Sequence, residues 1–130
     1  MKTVSRYTIL IVDDSKLARM AVNKALNTLY PEWERLEAAN AEEAVAAVKQ
    51  AAPDVALLDF NMPGRDDLAL AAQLREANPK MAVAVLSANR QQQIVDRTSA
   101  AGATFLAKPI TEAALGQFLK AVVQDMESRP

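Results

Sequence analysis

The 130-residue chain contains no cysteine and no histidine. Without cysteine there is no disulfide, no thiol nucleophile and no thiolate metal site. Without histidine, the commonest general base and the commonest metal ligand are both missing. A metal held by such a chain is held through oxygen, which favours magnesium, calcium or manganese. Charge is almost balanced, 15 Lys and Arg against 16 Asp and Glu. No overall field therefore draws the chain to nucleic acid or to an anionic membrane. No apolar run approaches the length of a membrane span, and the first six residues, Met1 to Arg6, lack a secretory h-region. The expectation is a cytoplasmic protein that binds neither nucleic acid nor membrane. A composition of 51% hydrophobic and 24% charged residues is that of a globular domain, and the length suits one domain, residues 1–130, with one core.

The apolar residues fall into short continuous runs alternating with helical stripes. Tyr7 to Val12 reads as a buried strand rich in β-branched residues. A helix follows from Ser15 to Leu29, with Ala18, Ala21, Val22, Ala25 and Leu29 on its inner face, stopped by Pro31. Glu34 to Ala39 is a weaker, edge-like strand. Asn40 with Glu43 forms a capping box for a helix that turns Ala44, Val45, Val48 and Ala52 inward and ends before Pro53. Val55 to Leu58 is apolar throughout, as in the middle of a parallel sheet, and is broken after Asp59 by Pro63-Gly64. Asp66 or Asp67 caps a helix reaching about Ala77. Met81 to Leu86 is a fourth strand. Asn89 caps a helix from about Gln91 to Ala101, with Ile94, Val95 and Ala101 inward and Gly102 at its end. Ala103 to Ala107 is a fifth strand. The last helix, about Thr111 to Met126, carries Leu115, Phe118, Leu119, Val122 and Met126 as an apolar stripe, leaving Glu127 to Pro130 as a frayed tail. Five alternations of strand and helix specify an α/β fold, a parallel sheet with helices on both faces.

Four strands end in a reactive polar group: Asp13 and Asp14, Asp59, Ser87, and Lys108. In an open parallel sheet the carboxyl ends of the strands lie along one edge, where functional groups gather. Singly, Asp13-Asp14 could cap a helix, Ser87 could belong to a turn and Lys108 to the surface. Together they form a set. Three clustered carboxylates repel one another unless a hard divalent cation sits among them, and magnesium prefers octahedral oxygen ligation with several waters retained. A loop carbonyl at position 61 is a candidate further ligand. Ser87 and Lys108 supply a hydroxyl and a cation for phosphate oxygens. That is the equipment of phosphoryl transfer. With no Ser, Cys and His nucleophile set, Asp59 is the nucleophile on offer, forming an acyl phosphate.

Val12-Asp-Asp-Ser15, Leu58-Asp-Phe-Asn-Met-Pro-Gly64, Leu86-Ser-Ala88 and Ala107-Lys-Pro109, in this order and spacing, resemble the motifs of bacterial response regulator receiver domains, in particular the single-domain, CheY-like kind. The resemblance covers essentially the whole chain. It implies a doubly wound five-stranded parallel sheet of order 2-1-3-4-5, flavodoxin-like in architecture. It further implies that Asp59 is the phosphoacceptor, that Asp13, Asp14, Asp59 and the backbone carbonyl of Asn61 bind Mg2+, and that Ser87 is the switch hydroxyl paired with Lys108. Phe105 falls at the switch aromatic, Asn61 and Asn89 at positions that tune loss of the phosphoryl group, and Lys108-Pro109 at a cis peptide bond. One departure is Asp66-Asp67, where the family often has Asp-Gly; this restrains the turn and adds negative charge near the site.

The resemblance makes a histidine kinase or phosphotransfer protein the phosphoryl donor. It puts the output surface on the last two helices and the fifth strand, where Arg90, Gln91, Gln93, Arg97, Thr104 and Lys120 interrupt the apolar patterns and are the candidate contacts. No helix-turn-helix or catalytic region follows the last helix, so the signal is expected to leave through contact with another protein, and the chain is not expected to be a turnover enzyme. One rival is a magnesium-dependent aspartyl phosphatase, disfavoured by Asn at position 61 where a second acid/base carboxylate is wanted. Another is a receiver-fold binding module that works without phosphorylation. A flavodoxin-like cofactor binder lacks its Gly/Ser/Thr-rich phosphate cradle after the first strand.

Overall fold

The structure is a computed structural model that describes residues 7–60, 67–88 and 92–128. Five parallel strands, β1 (Thr8–Val12), β2 (Glu34–Ala38), β3 (Val55–Asp59), β4 (Ala82–Ser87) and β5 (Thr104–Ala107), form one sheet of order β2-β1-β3-β4-β5. The helices between and after them are α1 (Lys16–Leu29), α2 (Ala41–Ala51), α3 (Asp67–Ala77), α4 (Gln92–Ala100) and α5 (Glu112–Ser128). The expected fold class and strand order are both observed. Among the described residues, no helix is long and apolar enough to cross a membrane.

The sheet divides the core into two layers, and strand alternation decides which residue enters which. Ile9, Ile11, Val55, Leu57, Ala84 and Leu86 face α1 and α5, meeting Val22, Leu26, Leu115, Leu119 and Val122. Leu10, Val12, Ala56, Leu58, Val83 and Val85 face α2 and α3, meeting Ala44, Val48, Leu70, Ala71 and Leu74. The three inner strands are buried on both sides, which is why they read as unbroken apolar runs. The outer strands are shorter of apolar residues: β2 carries Glu34, Arg35 and Glu37, and none of β5 is fully buried.

Helix ends follow local chemistry. Ser15, not Asp13 or Asp14, is the N-cap of α1, its Oγ accepting from the Ala18 amide at 3.2 Å. Asn40 caps α2 through the Glu43 amide at 2.8 Å. Glu43 reaches back to the Ala39 amide, one residue beyond the cap, so the capping box is offset by one position. Thr111 caps α5 through the Ala114 amide. Gly102 closes α4 with a φ of 79°, as its position predicted.

Several expectations need correction. Val22, Ala25 and Leu29 of the expected α1 face pack into the core, but Ala21 is exposed and the fully buried residue of α1 is Leu26; alanine marks neither face strongly. Ala52 does not face inward but is the exposed, left-handed C-cap of α2. The inner face of α4 includes Thr98, buried because its hydroxyl donates to the Ile94 carbonyl at 2.8 Å. Glu127 and Ser128 extend α5 rather than fraying. The proposed cap Asp66, and Arg90 and Gln91 of the suggested contact surface, lie outside the described residues.

Candidate functional site

The chain leaves β1 for β2 on one side and later enters β3 on the other, so β1 and β3 flank the point where the strand order reverses. A crevice opens there beyond the strand C-termini. Asp13 follows β1 directly and Asp59 is the last residue of β3. The period of two explains why their side chains meet. Asp13 is in step with Ile9 and Ile11, Asp59 with Val55 and Leu57, and Lys108 with Leu106, all residues of the α1/α5 layer.

Three backbone bonds carry the sheet ladder past the strand ends and hold these loops in place. The Asp13 amide donates to Ala38 O at 3.0 Å, the Phe60 amide to Leu86 O at 2.8 Å and the Lys108 amide to Ser87 O at 2.9 Å. The Lys108–Pro109 peptide is cis, as the resemblance implied.

Carboxylate oxygens of Asp13, Asp14 and Asp59 lie within 4.8 Å of one another. Asp13 and Asp59 are buried, and Asp14 is exposed at the rim. Lys108 Nζ donates to Asp59 Oδ1 at 2.6 Å and stands 3.7 Å from Asp13 Oδ2. The other oxygen of Asp13, Oδ1, accepts from the Ser15 amide at 2.9 Å. Burial pushes the Asp13 carboxyl above the usual carboxylate range; the Ser15 amide and Lys108 act against this, while the charges of Asp59 and Asp14 add to it. For Lys108, burial opposes the charge, but the hydrogen bond and charge of Asp59, with Asp13 behind it, more than compensate and hold the ammonium above its ordinary value.

Three hard oxygen donors with one cation form a set suited to a divalent ion such as magnesium, which takes one or two carboxylates and keeps its waters. Ser87 is fully buried at the end of β4, in step with Val83 and Val85 and so in the α2/α3 layer. Phe105 pairs in register with Val85 and is half-buried. Asn61 and Asn89 lie outside the described residues. Gln93, Arg97, Thr104 and Lys120 are exposed.

Two features escaped the sequence reading. Arg19 on α1 donates through a guanidinium nitrogen to the Asp13 carbonyl and through Nε to Glu37 Oε1 at 2.8 Å. Its only signal is a basic residue on the first helix opposite an acidic one on an otherwise weak edge strand. The second feature is the pair of exposed large apolar side chains, Leu17 and Met20, on the first turns of α1, just after the acidic pair.

The family model described as the response regulator receiver domain matches residues 9–120. The chain belongs to this family and is a receiver domain of two-component signal transduction. It is 36% identical over 115 residues to the positive alginate biosynthesis regulatory protein of Pseudomonas aeruginosa, covering 86% of this chain and 45% of that one. It is 29% identical over 102 residues to the sporulation initiation phosphotransferase F of Bacillus subtilis, covering 78% of this chain and 81% of that one. Among solved structures, the chemotaxis protein CheY4 of Vibrio cholerae superposes with a TM-score of 0.81 at 27% identity, over 91% of this chain and 99% of its own. A response regulator from Thermotoga maritima does so with 0.83 at 27%, over 92% and 99%. The chain spans less than half the length of several curated relatives, including the alginate regulator. Receiver domains of this family bind Mg2+ at an acidic pocket, take part with histidine kinases or phosphotransfer proteins, and are not in general turnover enzymes.

Proposed function

We propose that this receiver accepts a phosphoryl group on Asp59 in a Mg2+-dependent reaction and signals through a changed protein-binding surface. The observation that carries the reading is the 2.6 Å contact of Lys108 Nζ with Asp59 Oδ1 beside two further carboxylates. Asp13 and Asp14, with Asp59 and the Asn61 carbonyl, hold the ion. Bound there, Mg2+ supplies positive charge that offsets the carboxylates and the incoming phosphoryl oxygens. An oxygen of Asp59 attacks phosphorus. The new O–P bond forms as the P–N bond to a donor phosphohistidine breaks, and the departing imidazole nitrogen keeps the electron pair. Lys108 shifts its ammonium toward the phosphoryl oxygens, an exchange of one charge-assisted bond for another. Residues 1–130 act as one receiver domain in the cytoplasm, with no contact to nucleic acid or membrane of its own.

Ser87, one position past the Asp59–Leu86 register pair, moves its hydroxyl toward the phosphoryl group. Phe105 follows, since it flanks Val85 two residues earlier on the same sheet face. The bistable element is the face formed by α4, β5 and α5. The donor is a histidine kinase or phosphotransfer protein that reaches Asp59 past Leu17 and Met20. Asn61 and Asn89 set the lifetime of the acyl phosphate.

The test is intact mass after incubation with phosphoramidate, with and without Mg2+. A single phosphoryl adduct that requires Mg2+ and vanishes in Asp59→Asn supports the reading. An adduct retained in Asp59→Asn contradicts it. A folded wild type that takes no adduct favours the phosphorylation-independent binding module.

A further inference from the structure

Asp13 and Asp14 are consecutive, and the peptide plane between them sets where both carboxylates project. Neither backbone group of Asp13 is left to solvent. Its amide continues the ladder to Ala38 O at 3.0 Å on β2. Its carbonyl, which belongs to the Asp13–Asp14 peptide, accepts from the Arg19 guanidinium. Arg19 in turn is fixed by Glu37, the β2 residue beside Ala38, through a 2.8 Å bond from Nε to Oε1. Glu37 Oε2 also accepts from Asn23 Nδ2 of α1 at 3.3 Å. Two adjacent residues of the edge strand therefore hold both sides of Asp13, Ala38 directly and Glu37 through Arg19. The Arg19 side chain is only 15% exposed, so the fork is held in one arrangement rather than sampling solvent.

We infer that Arg19 is a positioning residue for the metal centre: it fixes the peptide plane between Asp13 and Asp14 so that both carboxylates point at the ion. This rests on the assignment of Asp13 and Asp14 as magnesium ligands. Two physical effects of Arg19 have opposite signs, which makes the inference decidable. As a charge, Arg19 is a cation near an acidic cluster, and its removal would tighten Mg2+ binding. As a clamp, its removal lets the peptide rotate and weakens binding. Partners behind metal ligands commonly change affinity by about 10- to 100-fold. Lysine keeps the charge but not the planar fork that spans a carbonyl and a carboxylate at once.

The experiment titrates Mg2+ into wild type, Arg19→Ala and Arg19→Lys by isothermal calorimetry, with thermal midpoints in chelator as a folding control. Expected is about a tenfold weaker dissociation constant in both variants. The Mg2+ concentration giving half-maximal phosphorylation by acetyl phosphate should rise by the same factor. Wild-type or tighter affinity in Arg19→Ala, or full recovery of affinity in Arg19→Lys, overturns the inference while leaving the phosphoacceptor assignment intact. Should Arg19→Ala fail to fold, Arg19→Lys decides alone. Absence of Mg2+ binding by the wild type removes the ligand assignment, and this inference with it.

Discussion

Asp13 is buried, bonded to the Ser15 amide and crowded by two other carboxylates, with Lys108 Nζ 3.7 Å from its Oδ2 but in closer contact with Asp59. Burial first, and then the neighbouring negative charges, hold its carboxyl above the ordinary 3.8. A carboxyl raised in this way binds its proton more tightly in the folded state than in the unfolded one. Stability of the metal-free protein therefore falls as pH rises from that ordinary value through the raised one, and it stays lower at neutral pH. Asp13→Asn keeps the oxygen that accepts from Ser15 and removes the charge. Metal-free Asp13→Asn should be more stable at pH 7 by about 1 kcal/mol, roughly 4 °C in thermal midpoint. Saturating Mg2+ should raise the midpoint of the wild type but not that of the variant, since only binding to the folded state stabilises it. An Asp13→Asn midpoint at or below wild type in chelator would contradict the placement of Asp13 among unbalanced charges. At this scale Asp13, Asp59 and Lys108 were legible, because each stands at the end of a strand whose apolar residues fix its face. Arg19 was not, because a single arginine on an amphipathic helix has the same local pattern whether it faces solvent or a backbone carbonyl.

Among the elements, α1 and α5 form the layer under the site, and they approach closely. A Cβ at Gly116 of α5 would stand 3.1 Å from Leu29 Cδ2 of α1. Leu115 and Leu119 of α5 and Leu26 of α1 are fully buried there. Leu119→Ala should cost about 3 kcal/mol in urea unfolding, the transfer of the lost methyl groups plus the cavity left behind. A loss under about 1 kcal/mol would show that α5 repacks freely and is not the rigid floor described. The α5 stripe was plain in the sequence because leucine and valine recur at helical spacing over many residues. The α1 stripe was read correctly at Val22, Ala25 and Leu29 but included the exposed Ala21 and missed Leu26, since alanine marks neither face strongly. Thr98 of α4 escaped for a related reason. Its hydroxyl is satisfied by the helix's own Ile94 carbonyl, so a polar residue occupies a core position that an apolar pattern cannot flag.

Across the whole molecule, a parallel sheet separates two ends. The acidic centre lies beyond the strand C-termini. Trp33 precedes β2 at the opposite end, buried and stacked on Tyr30 at a centroid distance of 4.3 Å, with Tyr7 edge-on at 5.2 Å. The strands β1, β2 and β3 between them are five residues long, or roughly 16 Å. Trp33 emission should therefore follow global unfolding with a large red shift yet remain unchanged on adding Mg2+; a shift on metal binding alone would mean that the two ends are coupled through the sheet. The fold was readable because five strand–helix alternations and the order of polar strand ends admit few topologies. The aromatic cluster was not, because Tyr30 and Trp33 sit in the short connection from α1 to β2 while Tyr7 precedes β1, and only the pairing of β1 with β2 brings them together. The central claim is that one of three neighbouring carboxylates, Asp59, carries the phosphoryl group. Its most direct test is borohydride reduction of the phosphorylated protein followed by peptide mass mapping, because an acyl phosphate is reduced to homoserine where it formed. Homoserine at position 59, found only after phosphorylation with Mg2+ present, is the expected result; homoserine at position 13 or 14, or none in a protein that carries the adduct, would contradict it.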